Sequence, residues 1–364
     1  MEASHAEKSQ PRRRRRKARP IPSWLRILRL ILRSCLLAYI LFFALSLLLT
    51  RYMAESWWVT TLALYAAPTI WLLPMALLIP ATLFLERQQL LVYPILVFFL
   101  LLGHMGWKLG KGGDPSEGDL VVLSNNVGQR GGTSFRNYQT KIVPEIILLQ
   151  EVGGRVYKYE RSFPGYQSAA SGEFGILSRY PILSAEPVPG LELPVASRFR
   201  ISIDGNEILF YNIHLPTPRT NFQQLRGNGF LHSAVTAGGF FSAKVRSRFQ
   251  DFMDRNFRLA TQIAEAATSE DLPVILAGDF NAPAQGKVAR LFASKFQDAH
   301  LNAGGGFGFT FPGVTRNPLS LFGPWMRIDH IYFNQWLRAV GCKVETKRAS
   351  QHRAVAAGFD LYGL

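Results

Sequence analysis

Six apolar runs in this chain end on, or open beside, a side chain able to do chemistry. "DLVVLSNNVG" closes on Asn125 and Asn126, "EIILLQEVG" on Glu151, and "NEILFYNIHLP" on His214. "LPVILAGDFNAP" closes on Asp279 and Asn281, Asp329 and His330 interrupt "RIDHIYF", and His352 precedes "AVAAGF". One such residue is ordinarily a turn or a cap; a set of six asks for a common purpose. Carboxylate and amide oxygens are hard donors that suit Mg²⁺ or Mn²⁺. A histidine oriented by a carboxylate can take a proton from water. A metal ion and hydrogen-bond donors offset charge on phosphate oxygens. Together these groups serve hydrolysis of a phosphate ester. The sequence has no Cys/His spacing for structural zinc, no GxxxxGK[ST] loop and no GxSxG elbow, which argues against nucleoside-triphosphate and acyl chemistry.

The runs that carry these residues are four to six residues long and rich in Val, Ile, Leu and Phe, as expected of buried strands. Asp251–Ser269, "DFMDRNFRLATQIAEAATS", spaces its apolar residues as a helix does. Strands with interspersed helices over residues 119–364 predict one α/β domain, and in such folds ligands gather at strand ends. Thr217–Asp251 is rich in Gly, Phe, Ser and Arg without a period and reads as an insertion or lid.

The first hundred residues have a different composition. Ser34–Thr50 and Ser56–Leu85 carry no charge, and Gln88–Trp107 is uncharged as well. A membrane span takes about 20 apolar residues, so residues 34–107 accommodate about three helices, the second kinked by Pro68, Pro74 and Pro80. Of the 41 Lys/Arg in the chain, eleven lie in residues 1–33, including the run Arg12–Lys17. Positive charge directly before a first span favours the cytoplasmic side and attracts anionic lipid headgroups. Three crossings then place the chain after Trp107 outside the cytoplasm, at a cell inner membrane, with residues 108–118 as a flexible linker. Cys35 and Cys342 are the cysteines, too few for a disulfide framework.

The ordered motifs "NNV", "LLQE", "GILSRYPI", "NIHLPTP", "LAGDFNAP", "RIDHIYF" and "SQHRAV" resemble the endonuclease/exonuclease/phosphatase superfamily over residues 119–364, the insertion aside. The resemblance implies a four-layer α/β sandwich, two stacked mixed sheets flanked by helices, with the site at one edge. It implies that Asn126 and Glu151 are metal ligands, and that His214 supports phosphate binding or leaving-group protonation. Asp279 and Asn281 would orient the water and bind a phosphate oxygen, Asp329 would hold His214, and His352 would be the general base.

One position departs from the pattern. Where the superfamily has Ser-Asp-His, this chain has Ser350–Gln351–His352. Gln351 still offers an oxygen as a weak metal ligand, but without charge. At an effective dielectric near ~20, a unit charge ~4 Å away is worth about 4 kcal/mol, so metal affinity should fall. The expected function is a membrane-anchored, metal-dependent phosphoesterase acting on lipid, sugar-phosphate or nucleic-acid esters. An endonuclease of the same chemistry, with Lys244, Arg246 and Arg248 supplying a basic groove, is the alternative. The third option is a binding or scaffold protein whose site has decayed at Gln351.

Overall fold

The computed structural model describes residues 22–128, 141–313, 323–346 and 351–361; the Arg12–Lys17 run and Ser350 lie outside the described residues. The leucine-rich start of the chain forms α1 (Ser23–Tyr52), one helix of 30 residues. Arg26, Arg29 and Arg33 therefore belong to the same helix as the apolar stretch that follows them. Ser23–Tyr52, Pro68–Leu85 and Arg87–His104 are each long and apolar enough to cross a membrane. Within the latter two lie α3 (Leu73–Leu85) and α4 (Val92–Phe99). They pack on α1 through Leu36, Phe43, Trp71, Met75 and Leu96.

The uncharged stretch from Ser56 to Leu85 is not one kinked helix. Its first part is a separate helix, α2 (Trp58–Tyr65), after which Ala66 and Ala67 are extended, with ψ of 149° and 126°. The cause is Pro68, whose ring disfavours helical geometry at the residue before it. A 3₁₀ turn, Pro68–Leu72, restarts the helix. α2 then packs on the globular part of the chain, where Trp58 and Leu62 join Leu225, Phe249 and Met253.

Two six-stranded mixed sheets form the globular part. The first contains β1 (Leu120–Asn126), β2 (Ile146–Gln150), β3 (Gln167–Ser171), β4 (Phe174–Ser178), β11 (Leu337–Val344) and β12 (Val355–Leu361), in the order β11-β12-β1-β2-β4-β3. The second contains β5 (Ile182–Pro187), β6 (Ala196–Ile203), β7 (Asn206–His214), β8 (Val274–Asp279), β9 (Gln297–Asp298) and β10 (Asp329–Phe333), in the order β5-β6-β7-β8-β10-β9. Their inner faces meet through Leu148, Phe174, Phe199, Phe210, Ile275 and Phe359, each at most 1% exposed. Burying such a side chain contributes about 1.5–3 kcal/mol, so this seam carries much of the stability. Helix α5 (Val156–Ser162) covers the outer face of the first sheet, with Val156 and Tyr159 on Leu149 and Leu177. Helix α8 (Ala243–Thr268) covers that of the second, with Leu259 and Ile263 against Leu209 and Leu276. The result is the expected four-layer sandwich.

The expected aperiodic insertion is instead helical: α6 (Arg219–Arg226), α7 (Phe230–Thr236) and the start of α8, which begins at Ala243 rather than Asp251. Helices of seven or eight residues complete only about two turns, too few for a 3.6-residue period to show in sequence. Helices α9 (Lys287–Lys295) and α10 (Ala299–Ala303) complete the described elements.

Candidate active site

Register brings the polar strand ends to one edge. β1 and β2 are parallel with Asn126 opposite Gln150, so Asn126 and Glu151 leave the first sheet side by side. β7 and β8 are parallel with His214 opposite Asp279. β10 runs antiparallel to β8, which sets Asp329 opposite Asp279 at the start of its strand. β12 runs antiparallel to β1, pairing Val355 with Ser124, and so delivers His352 to the same edge. Beneath this edge Gln150 Nε2 donates to Asn212 Oδ1 at 2.6 Å, and Asn212 Nδ2 donates to the carbonyls of Leu149 and Gly175. These buried amides tie the two sheets together under the site, where an unpaired polar group would cost about 1–3 kcal/mol.

Asp279 is the hub and is 1% exposed. Its Oδ2 accepts from Asn126 Nδ2 at 3.1 Å and lies 3.5 Å from His352 Nε2 and 3.7 Å from His214 Nε2. Its Oδ1 accepts from the backbone N–H of Asn281 at 2.9 Å. Asn126 Nδ2 also donates to Glu151 Oε1 at 3.1 Å, and that oxygen is 3.9 Å from His214 Nε2. His352 Nδ1 meets both oxygens of Asp329 at 3.1 Å. One expectation is corrected here: Asp329 holds His352, not His214. The reason is the β10–β8 pairing, which puts Asp329 across from Asp279 on the His352 side. The carboxylate on His214 is Glu173, whose Oε1 is 2.9 Å from Nδ1.

Both histidines are shifted towards the charged form. Burial lowers the pKa of His352, but the neighbouring carboxylates Asp329 and Asp279 outweigh it and push it up to about 9. For His214 burial also works downward, and the hydrogen bond to Glu173 with the charges of Asp279, Glu173 and Glu151 turns the net shift upward. Histidines shifted in this direction and facing a cavity are suited to hold phosphate oxygens.

The other sequence candidates separate. Asn281 lies at the site in a left-handed conformation, φ 46°, with Nδ2 donating to the Leu215 carbonyl at 2.8 Å. His330 is in the core, its Nε2 on the Ala282 carbonyl at 3.0 Å and its ring on Phe280 and Tyr332. Asn125 is fully buried behind the site. Gln351 lines the cavity, and its Oε1 accepts from Arg219 Nη2 at 3.3 Å. No hydrogen bond joins it to Glu151 or Asn126. Glu173, Arg219 and Tyr65 are site residues that the strand-end pattern misses; only Glu173, directly before a strand, carried even a weak signal.

The cavity over these groups has a volume of about 1280 Å³. Tyr65, Phe222, Phe311 and Met326 form its apolar wall, and Arg219 and Arg226 add positive charge. The ligand-type atoms of Asp279, Asp329 and His352 lie within 4.8 Å of one another, but the last two are already engaged with each other. Glu151 is the carboxylate offered to the cavity. The Asn126 side-chain oxygen accepts from the Gly128 N–H at 2.9 Å, and a half-turn of the amide, giving up that bond, would set it beside Glu151. This hard-oxygen pair fits Mg²⁺ or Mn²⁺, with the charge at Gln351 missing.

A two-sheet α/β sandwich with carboxylates, amides and carboxylate-held histidines at one edge defines a phosphoester hydrolase. The chain belongs to the Endonuclease/Exonuclease/phosphatase family, whose sequence model matches residues 122–352. Members of this family hydrolyse phosphoester bonds and generally use divalent metal ions. Among solved structures, a mannosyl-6-phosphatase from Bacteroides thetaiotaomicron is 18% identical, covering 66% of this chain and 99% of its own, with a TM-score of 0.42. Danio rerio TDP2 bound to a single-stranded DNA product is 15% identical, covering 66% and 98%, with a TM-score of 0.46. A Bacteroides vulgatus member is 14% identical over 66% and 98%, with a TM-score of 0.47. No match to a curated protein was found.

The Gln351→Asp variant tests the weak corner of the site. A carboxylate there adds negative charge to the cavity that Glu151 also lines, so the Mg²⁺ concentration for half-maximal rate should fall, with a smaller change for Mn²⁺. Rate-against-Mg²⁺ curves that superimpose for the two proteins would show that Gln351 is no part of the metal site.

Proposed function

We propose that this chain is a membrane-anchored, metal-dependent phosphoesterase that hydrolyses phosphate mono- or diesters at the extracytoplasmic face. The observation that carries the reading is the convergence of Asn126, Glu151, His214, Asp279 and the Asp329–His352 pair on one cavity. In this mechanism Asn126, His214 and Asn281 surround the phosphoryl group, and Asp279 orients a water towards phosphorus. The water oxygen bonds to phosphorus as the ester P–O bond breaks, and its proton passes to Nε2 of His352. The cation that Asp329 stabilises is the product of that transfer. His214, held by Glu173, protonates the leaving oxygen. A divalent ion bound by Glu151 and Asn126 would offset charge on the phosphate oxygens and bring His352 down towards the range in which it accepts a proton.

Two features support the membrane orientation. Glu86, between the second and third apolar helices, lies 2.8 Å from Arg33 and 3.8 Å from Arg29, on the side of the basic arm. The segment after α1 packs on the globular domain instead. Arg29 and Arg33 thus lie towards one end of α1 and the catalytic domain meets the other, which supports this orientation. An alkaline phosphatase reporter fused after Leu364 should be active and a fluorescent-protein reporter dark. The opposite pattern would overturn both the crossing number and the location.

The endonuclease reading keeps one specific support, the cationic and aromatic lining from Arg219, Arg226, Phe222 and Phe311, which suits a nucleic-acid backbone and its bases. The deciding experiment is a hydrolysis screen of the full-length protein in detergent on phospholipid, sugar-phosphate, nucleic-acid and bis(4-nitrophenyl) phosphate esters with Mg²⁺ and Mn²⁺. Turnover confined to DNA would replace the membrane-face reading with the nuclease. No turnover together with no metal binding would leave the scaffold.

A further inference from the structure

The phosphoesterase mechanism leaves one close neighbour of the site unused, and it comes from the membrane region. Tyr65 is the last residue of α2, between the first two apolar helices, and it lines the catalytic cavity. Its hydroxyl donates to the backbone carbonyl of Asn281 at 2.8 Å. Its ring packs on Phe222 with centroids 5.0 Å apart, and its own carbonyl accepts from Trp325 Nε1 at 3.4 Å. Burial first, and the charges of Glu55 and Asp279 after it, hold the phenol well above its ordinary range, so it remains a donor.

The group it holds is, like Glu151, a site residue in a left-handed backbone conformation. Asn281 sits at φ 46°, a left-handed conformation that L-residues other than glycine adopt at a cost and keep only when the surroundings enforce it. Three contacts enforce it here. Its N–H is on Asp279 Oδ1, its Nδ2 is on the Leu215 carbonyl, and its carbonyl is on Tyr65. Two of these lie within the sandwich, and the third belongs to the membrane anchor.

The rest of the same loop is fastened to the catalytic domain independently. Glu55 is 5% exposed, and its carboxylate accepts from the backbone N–H of Lys287, the first residue of α9. A Cβ on Gly286 would meet Glu55 Oε1 at 2.1 Å, so that glycine admits the carboxylate. Gln250 Nε2 donates to the Glu55 carbonyl at 2.9 Å, and Trp58 stacks on Phe240 with centroids 6.5 Å apart. Residues 54–65 are a fitted part of the domain surface, held at both ends, and not a slack tether.

We propose that the loop between the first two membrane helices is part of the catalytic apparatus, with Tyr65 acting as a positioning residue for Asn281. The proposal rests on the phosphoesterase reading of the site. It makes the anchor more than a means of localisation, since the Asp279–Asn281 turn has its full set of restraints only while the domain is seated on its own membrane helices.

The test is Tyr65→Phe in the full-length protein in nanodiscs, with Tyr52→Phe, at a position 78% exposed, as the control. The variant keeps the ring and its packing and removes one hydrogen bond. With bis(4-nitrophenyl) phosphate and Mn²⁺ its kcat should fall about ten- to a hundredfold, the scale of a small misplacement at a reacting centre. KM should stay within about twofold and the melting temperature at the parent value. Amide hydrogen exchange should quicken at residues 280–282 and nowhere else. Parental kcat and parental exchange in the variant would overturn the proposal. So would a loss of activity matched by a lower melting temperature and faster exchange throughout, since that describes a structural contact. If the parent turns over no ester in the screen, the phosphoesterase reading fails. The exchange comparison still decides the contact: unchanged protection at residues 280–282 refutes it and local loss supports it.

Discussion

Asp279→Ala should lower kcat by at least about a hundredfold on whichever ester the screen identifies, the scale expected of a group that positions or moves a proton. The Asp279 carboxylate meets Asn126, Asn281, His352 and His214. Its loss removes the acceptor for Asn126 Nδ2 and the Asn281 N–H, and it removes a counter-charge from both His352 and His214. Glu151→Ala and His352→Ala should fall as far, by different routes. The first deprives the cavity of its offered carboxylate, and the second removes the proton acceptor while leaving Asp329 buried and unpaired. Losses at residues that act as a unit do not add, so the triple variant should be little worse than the worst single one. Steady-state kinetics at saturating Mn²⁺, with thermal unfolding as a check of folding, read the effect. A folded Asp279→Ala protein within about threefold of the parent rate would remove Asp279 from the mechanism.

The difference between what was readable in the sequence and what was not follows from how each contact is made. Asn126, Glu151, His214, Asp279 and His352 stand directly at the ends of apolar runs. A strand that ends at a sheet edge has to deliver its next polar residue there, so local pattern suffices. Which carboxylate serves which histidine depends on strand order across two sheets. Asp329 goes to His352 because β10 lies antiparallel beside β8, and nothing local to "RIDHIYF" encodes that. Glu173 reaches His214 from the β3–β4 turn, 41 residues away in sequence. Tyr65 was the least accessible of all. It lies in an uncharged stretch whose composition points to lipid, and only the break at Pro68 and the docking of α2 turn it towards the cavity. The helices of the insertion were hidden by their shortness.

Arg327 shows the same limit from the side of stability. It stands two residues before Asp329 in "RIDHIYF", yet the structure buries it at 6% exposure on Asp298, itself 4% exposed. Nη1 donates to both carboxylate oxygens, at 3.0 and 2.9 Å. Asp298 Oδ1 also accepts from Leu301 N and caps α10. Burial pushes the Asp298 carboxyl up, and Arg327, His330 and the Leu301 N–H together more than reverse it, so the pair is ionic. Breaking such a pair leaves a charge buried without a partner, at a cost of about 3–5 kcal/mol. Asp298→Ala should therefore be among the most destabilising single changes in the domain. Because Arg327 stands two residues before Asp329, the damage should also reach the start of β10, and the little folded protein that remains should be slow. The double change Asp298→Leu with Arg327→Met removes both charges at similar volume and should recover most of the lost stability. Thermal unfolding of the three purified proteins in the same detergent separates the possibilities. If Asp298→Ala melts with the parent, Arg327 finds its compensation elsewhere. If the double variant is as unstable as the single one, the capping of α10 matters more than the charge.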